Sequence, residues 1–321
     1  MQAPTSALFF LLLGMILMNF QSSNPQIPLT EHADAYVAKN SSQELQVTQT
    51  TSHKLKVLSS FFPIGEFTKK VGGDAIESSL FIPNGVEPHD YDPTINDIQR
   101  ASSADVLIYN GFNLESWIEK INIPKIIDAS LGLNFLYTDS TNKTIDPHVW
   151  LDPLLAKEEV KNIANALIKI DPTNKNYYSN NTMHFLSDLD NLDKFIREHL
   201  KSCEKKDFIS FHSAFSYFAK RYGLTQHSVT NTSPEAEITR QQLTEIINTA
   251  KRLQLNIIYS EELIDPRHAA AIAQEIPGGK VLELSPIEGL TKEEQQSGIG
   301  DMDKMLQNVK NLMEGLDCKK P

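Results

Sequence analysis

Three histidines stand in runs that can bring a divalent cation into the grip of neutral imidazole: His89 in GVEPHDYDP, His148 in DPHVWLDP and His212 in FISFHSAF. Each lies just beyond a strand candidate or at a strand-to-helix junction, and in parallel α/β sheets the carboxyl ends of strands line the ligand crevice. Imidazole nitrogens suit zinc and its first-row neighbours, so three of them converging there predict a metal site. Taken singly, each histidine would as readily cap or pack. Three histidines with an open water position are also the arrangement of a catalytic zinc, which keeps a zinc hydrolase as the rival from another class. Against it, the chain carries no H-E-x-x-H helix and no G-x-S-x-G elbow.

The other reactive side chains are weighed beside these. Cys203 and Cys318 fall in no C-x-x-C spacing, so thiolate ligation is not expected. In an oxidising compartment the two either pair, closing a long loop worth on the order of 4 kcal/mol, or stay as separate thiols. Asp90, Asp146 and Asp152 stand next to the histidines and can accept the far N–H of an imidazole. For Asp146 and Asp152, each followed by proline, turn and helix-start chemistry is the expectation. Glu87, Glu235 and Glu237 read as solvated loop charges or as contacts to a partner, and Trp150 as core filling beside His148.

The elements that must position these residues alternate. From Lys54, LKVLSSFF reads as a strand, IGEFTKKVGG as a helix, SSLFIPNG as a strand and TINDIQRAS as a helix begun by Pro93 and Thr94. ADVLIYNG, LESWIEKI and KIIDAS continue as strand, helix and strand. Two longer helices follow, with Val160, Ile163, Leu167 and Ile170 on one face of the first. Over residues 176–200 the apolar stripe is Phe185, Leu189, Leu192, Phe195, Ile196 and Leu200. The alternation then restarts through DFISF, LTQHSVT, NIIYSEE and KVLELSP and closes on the amphipathic helix MDKMLQNVKNLMEGL. Such a pattern predicts parallel sheets with helices on their faces.

At 321 residues the chain exceeds one ordinary domain, which predicts two packed ones. A formal charge of -11 repels phosphate backbones and excludes nucleic acid as a partner. Residues 7–20 are uncharged and apolar but shorter than the ~20 residues a membrane span needs, so they read as a cleaved export signal or an uncleaved anchor. No cysteine follows them for lipid attachment, and residues 21–53 have the polar composition of a flexible tether. Sequons occur at Asn40, Asn142, Asn180 and Asn231.

Taken together, PNGVEPHDYDPTINDIQRASSADVLIYNGFNLESWIEKI, DPHVWLDP, DPTNKNYYSNN, FISFHSAFSYFAKRYGL and SPEAEITRQQLTEI resemble the zinc and manganese solute-binding proteins of ABC importers, the ZnuA/TroA-like family. The resemblance covers residues 54–316. It implies an α/β fold of two lobes, each a small parallel sheet flanked by helices, joined by one long rigid helix with the metal in the cleft between them. It divides the chain into 1–27 (signal peptide or anchor), 28–53 (flexible tether), 54–170 (N-terminal lobe), 171–204 (connecting helix) and 205–318 (C-terminal lobe). It implies a metal site at His89, His148 and His212, and the histidine at the third position favours Zn2+ over Mn2+. Where relatives carry an aspartate as fourth ligand this chain has Ser285, which leaves a water or Glu288 for that place. The expected function is an extracytoplasmic, high-affinity receptor that delivers Zn2+ to a membrane permease, acting as a monomer, exported to the periplasm or the cell surface and without enzymatic activity. The alternatives are a manganese or iron receptor of the same family, the hydrolase, and a surface adhesion protein.

Overall fold

The computed structural model describes residues 54–139, 143–231 and 233–319. The apolar run, the polar stretch before Lys54 and the sequons at Asn40 and Asn142 lie outside the described residues. Among those described, no helix is long and apolar enough to cross a membrane. The described residues fall in one compact unit.

Strand β1 (Leu55–Ser59) enters the core with Val57 and Leu58 buried, and helix α1 (Phe62–Gly72) starts on Pro63, whose missing N–H costs nothing in a first turn. Next come β2 (Ile76–Leu80), α2 (Ile95–Ala101), β3 (Val106–Tyr109) and β4 (Ile126–Asp128). Thr94 caps α2 in a reciprocal box with Asp97. The four strands form one parallel sheet in the order β2-β1-β3-β4. β2 starts and ends earlier than the apolar run SSLFIPNG predicts. Phe81 and Ile82 are buried beyond it and still bond the carbonyls of Ser59 and Ser60 at 2.8 and 2.9 Å.

The helix expected over LESWIEKI is only a 3-10 turn, Ile118–Lys120. The cause is local: the Glu115 carboxylate accepts from the backbone N–H groups of Asn110 and Gly111 at 2.9 and 3.1 Å, folding the chain back. A small antiparallel pair, β5 (Tyr137–Asp139) and β6 (Thr144–Ile145), follows. The run TDSTNKTI carries no alternating pattern that would announce it.

Helix α3 (Pro153–Ile170) begins on the Asp152 cap and packs against α4 (Lys175–Leu200), whose 26 residues span roughly 39 Å. Phe185, Leu189, Leu192, Ile196 and Leu200 are buried along α4, while Phe195 is only half-buried. α4 packs on α1 of the first sheet and on helices of the second, so it links the two layers.

The second sheet is built from β7 (Asp207–Ser210), α5 (Ser216–Tyr222), β8 (Thr225–Ser228), α6 (Arg240–Leu253), β9 (Ile257–Ser260), α7 (Pro266–Gln274) and β10 (Lys280–Glu283). Its strands are parallel in the order β10-β9-β7-β8. A short helix α8 (Lys292–Ser297), capped by Thr291 and without an apolar stripe of its own, precedes α9 (Asp301–Gly315). α9 buries Met305, Val309 and Leu312 on its inner face, whereas Leu306 is exposed. Cys203 and Cys318 are joined in a disulfide that ties the chain after α4 to the end of α9.

Candidate metal centre

His89 lies in the loop between β2 and α2, nine residues beyond its strand. His148 follows the short β6 and opens the turn that leads to α3, and His212 stands two residues beyond β7. The expected strand-end placement is therefore closest for His212. The fold nevertheless brings all three together. His148 Nε2 is 3.1 Å from His89 Nε2 and 3.2 Å from His212 Nε2. A fourth donor joins them: Glu288 Oε1 lies 3.0, 3.3 and 3.6 Å from the Nε2 atoms of His89, His148 and His212. Among the described residues this is the one cluster of histidine and acidic donors close enough to share an ion. Ser285 is not part of it. Its hydroxyl donates to Glu262 at 2.6 Å.

Two of the rings are oriented from behind. Asp146 Oδ1 meets His148 Nδ1 at 2.7 Å and also accepts the His148 backbone N–H at 3.0 Å. Glu261 does the same for His212, at 2.7 Å to Nδ1 and 2.9 Å to the backbone N–H. A carboxylate on Nδ1 holds the proton there and turns the Nε2 lone pair inward. Asp146 thus orients a ring, against the turn role expected for it. Asp152 keeps its expected role, capping α3 through the Leu154 N–H, and pairs with Arg221. Asp90 touches no imidazole: it accepts from Ser233 Oγ at 2.7 Å across the rim of the cleft.

His148 and His212 are fully buried, and His89 keeps a small exposed edge, 7% of its side chain. His89 and Asp90 line a cavity of about 400 Å³ together with Phe112, Lys143 and Ser233, which gives the cluster its opening. Burial opposes a proton on His212, but Glu261 and Glu288 outweigh it and hold the ring well above its usual value. For His148 burial is likewise overcome, by Asp146 and Glu288. Burial wins at His89 and lowers it. Against its own burial, Glu288 is held well below the carboxylate range by His89 and His212. Glu87, read as a loop charge, is half-buried and accepts the His89 N–H at 3.0 Å, and burial with Glu288 nearby pushes it up to about 9. Glu235 and Glu237 are exposed. Trp150 packs 5.2 Å from His148 and donates to the Pro286 carbonyl at 2.8 Å, so it fills core and braces the loop that carries Glu288.

Glu261 is not singled out by the sequence, where it falls inside the strand-like run NIIYSEE; β9 ends at Ser260, which puts Glu261 at the strand's carboxyl end. The signal that finds it is position, since β9 lies beside β7 in the sheet and their ends open onto one crevice.

Two parallel α/β lobes bridged by a long helix, with a buried cluster of three imidazoles and a carboxylate where they meet, define a cation-binding protein of the two-lobed solute-receptor class. Residues 57–315 match the family described as zinc-uptake complex component A, periplasmic, and the chain belongs to that ZnuA family. It is 39% identical over 284 residues to the high-affinity zinc uptake system protein ZnuA of Bacillus subtilis, covering 83% of this chain and 89% of the relative. To the zinc-binding lipoprotein AdcA of Streptococcus pneumoniae it is 31% identical over 286 residues, 84% of this chain but only 57% of that longer protein. The crystal structure of the Zn(II)-bound ZnuA-like domain of Streptococcus pneumoniae AdcA matches with a TM-score of 0.73 at 32% identity, covering 83% of this chain and all of that one.

Proposed function

We propose that this chain is an exported receptor that binds Zn2+ with high affinity between its lobes and delivers it to the membrane permease of an ABC importer. The ligands are the Nε2 atoms of His89, His148 and His212 and the Oε1 atom of Glu288. In this reading residues 1–27 serve export or anchoring, 28–53 form a tether, and 54–170 and 205–318 are lobes on either side of the connecting segment 171–204.

The observation that carries the proposal is the spacing of the donors. Five of their six pairwise separations, 3.0, 3.1, 3.2, 3.3 and 3.6 Å, bracket the ~3.3 Å edge of a tetrahedron with metal–ligand bonds of about 2.0 Å, the geometry zinc takes with nitrogen and oxygen ligands. Three imidazoles and one carboxylate favour zinc over manganese, which prefers an oxygen-rich shell. Glu288 occupies the vertex that a catalytic zinc site leaves to water, which favours a carrier over a hydrolase. Titrating the purified protein with zinc and manganese in competition tests this. One tight site per chain that prefers zinc and is lost in His212→Ala is expected. Tight binding that survives replacement of all three histidines by alanine overturns it, and ester or peptide turnover by the zinc-loaded protein transfers the assignment to the hydrolase.

A further inference from the structure

Glu288 does not stand on a strand or helix. It projects from residues 284–290, a loop between β10 and α8 in which every residue is buried. A buried loop holds its shape only if its polar groups are partnered, and here the partners are specific. Asn308 of α9 brackets Ser285, accepting from its N–H at 2.8 Å and donating to its carbonyl at 2.6 Å. The Ser285 hydroxyl accepts the Ile287 N–H at 2.9 Å while donating to Glu262. Ile287 then turns the chain with φ of +60°, a left-handed conformation that a β-branched residue adopts only where its surroundings impose it. That turn directs Glu288 into the histidines.

What holds Glu262 under Ser285 is Lys304. Its side chain is 3% exposed, and its ammonium lies 3.3 Å from Glu262 Oε1 and 2.5 Å from Glu294 Oε1. Glu294 in turn accepts the Thr291 N–H at the start of α8, where the loop ends. One buried cation therefore fastens both ends of the loop, through Glu262 and Ser285 at one side and through Glu294 at the other. Glu261 and Glu262 are consecutive, so the end of β9 orients His212 with one carboxylate and the Glu288 loop with the next.

We propose that Lys304 and Glu262 are positioning residues for zinc: they lock the strained 285–288 turn so that Glu288 is in place before the metal arrives. This rests on Glu288 being a ligand. Ser285, at the place of an expected ligand, acts as the link between the strut and the turn.

A double-mutant cycle on the full chain tests it, with zinc affinity measured by chelator competition and the ligand-field spectrum recorded with Co2+ as probe. Glu288→Gln alone is expected to weaken zinc and change the cobalt spectrum. Lys304→Met and Ser285→Ala are each expected to weaken zinc roughly tenfold, the scale seen when groups supporting a ligand are removed. Each is also expected to move the cobalt spectrum toward that of Glu288→Gln and to add little in the Glu288→Gln background. Ser285→Ala unpairs no charge and keeps the test alive if Lys304→Met does not fold. If Glu288→Gln leaves zinc affinity unchanged, the ligand assignment fails. If Glu288→Gln weakens binding but Ser285→Ala and Lys304→Met keep the native cobalt spectrum, or add their full effects to it, the positioning role fails while the ligand stands.

Discussion

Across the N-terminal sheet the strands run second, first, third, fourth, and the C-terminal sheet repeats that order from β8 to β10. Two buried glutamates, one in each lobe, are treated differently. In the C-terminal lobe Glu262 has Lys304 and the Ser285 hydroxyl beside it. In the N-terminal lobe Glu159 of α3 is fully buried, and neither of its oxygens has a hydrogen-bond partner among the described residues. Winding fixes which strand ends face the cleft, but it leaves the handling of charge to individual side chains. Of these two acids, the one that is tied down is the one beneath the loop that carries the fourth donor.

The sharpest break in that comparison is expected from the ligands themselves. Binding of structural zinc at ~10–16 kcal/mol over four ligands puts one ligand at roughly 3 kcal/mol, or about a hundredfold in affinity. His212→Ala is expected to reach that loss. Glu261→Gln and Asp146→Asn, which leave the ligand and remove its orientation, are expected to cost about ten- to a hundredfold. If either matches wild type in zinc competition, the rings are held by packing alone.

Buried acids give the next largest effect, now on stability. Lys304→Met removes the cation beside a buried carboxylate, a change that costs on the order of 3 kcal/mol. Burial already pushes Glu262 up to about 7 against the pull of Lys304, so a proton can relieve part of that loss. Glu159→Gln is expected to do the reverse. Burial, with Glu115 and Asp128 nearby, raises Glu159 well above the carboxylate range. Between the unfolded value of ~4.3 and the raised folded value, the native state keeps a proton that the unfolded chain releases. Wild-type stability therefore falls as pH rises through that window. The glutamine variant lacks this slope, so urea unfolding should show it gaining on wild type from pH 4 to 7. A constant difference over that range would mean that Glu159 has a partner for its charge.

Much of this site was legible before the fold, but unevenly. The three histidines sit in short motifs whose neighbours are themselves structural, such as Asp146 and Trp150 on either side of His148, so they stand out in one dimension. Glu288 stands out less, offered by the sequence only beside a water, because it is separated from its strand by the Ser285 turn and the left-handed Ile287 decides where its carboxylate goes. Glu261 and Glu262 look alike in sequence and orient different ligand-bearing elements, a distinction made by packing. The helix periodicity of LESWIEKI was real but lost to the hydrogen bonds of Glu115, a local competition that hydrophobic spacing cannot register.

The smallest effect is expected at the rim, where the lobes also touch. The bond from Ser233 to Asp90 is exposed at 2.7 Å, whereas Trp150 reaches the Pro286 carbonyl from one lobe to the other inside the core. Water replaces an exposed partner at little cost, so Ser233→Ala should change stability by less than about 1 kcal/mol and zinc affinity by less than about threefold. Trp150→Phe leaves a buried carbonyl unpaired and should cost about 1–3 kcal/mol, with looser zinc because the braced loop is the one that carries Glu288. Urea melts and chelator competition on the two variants separate rim from core. Equal losses would mean that the lobes are held as firmly at the opening of the cleft as behind it.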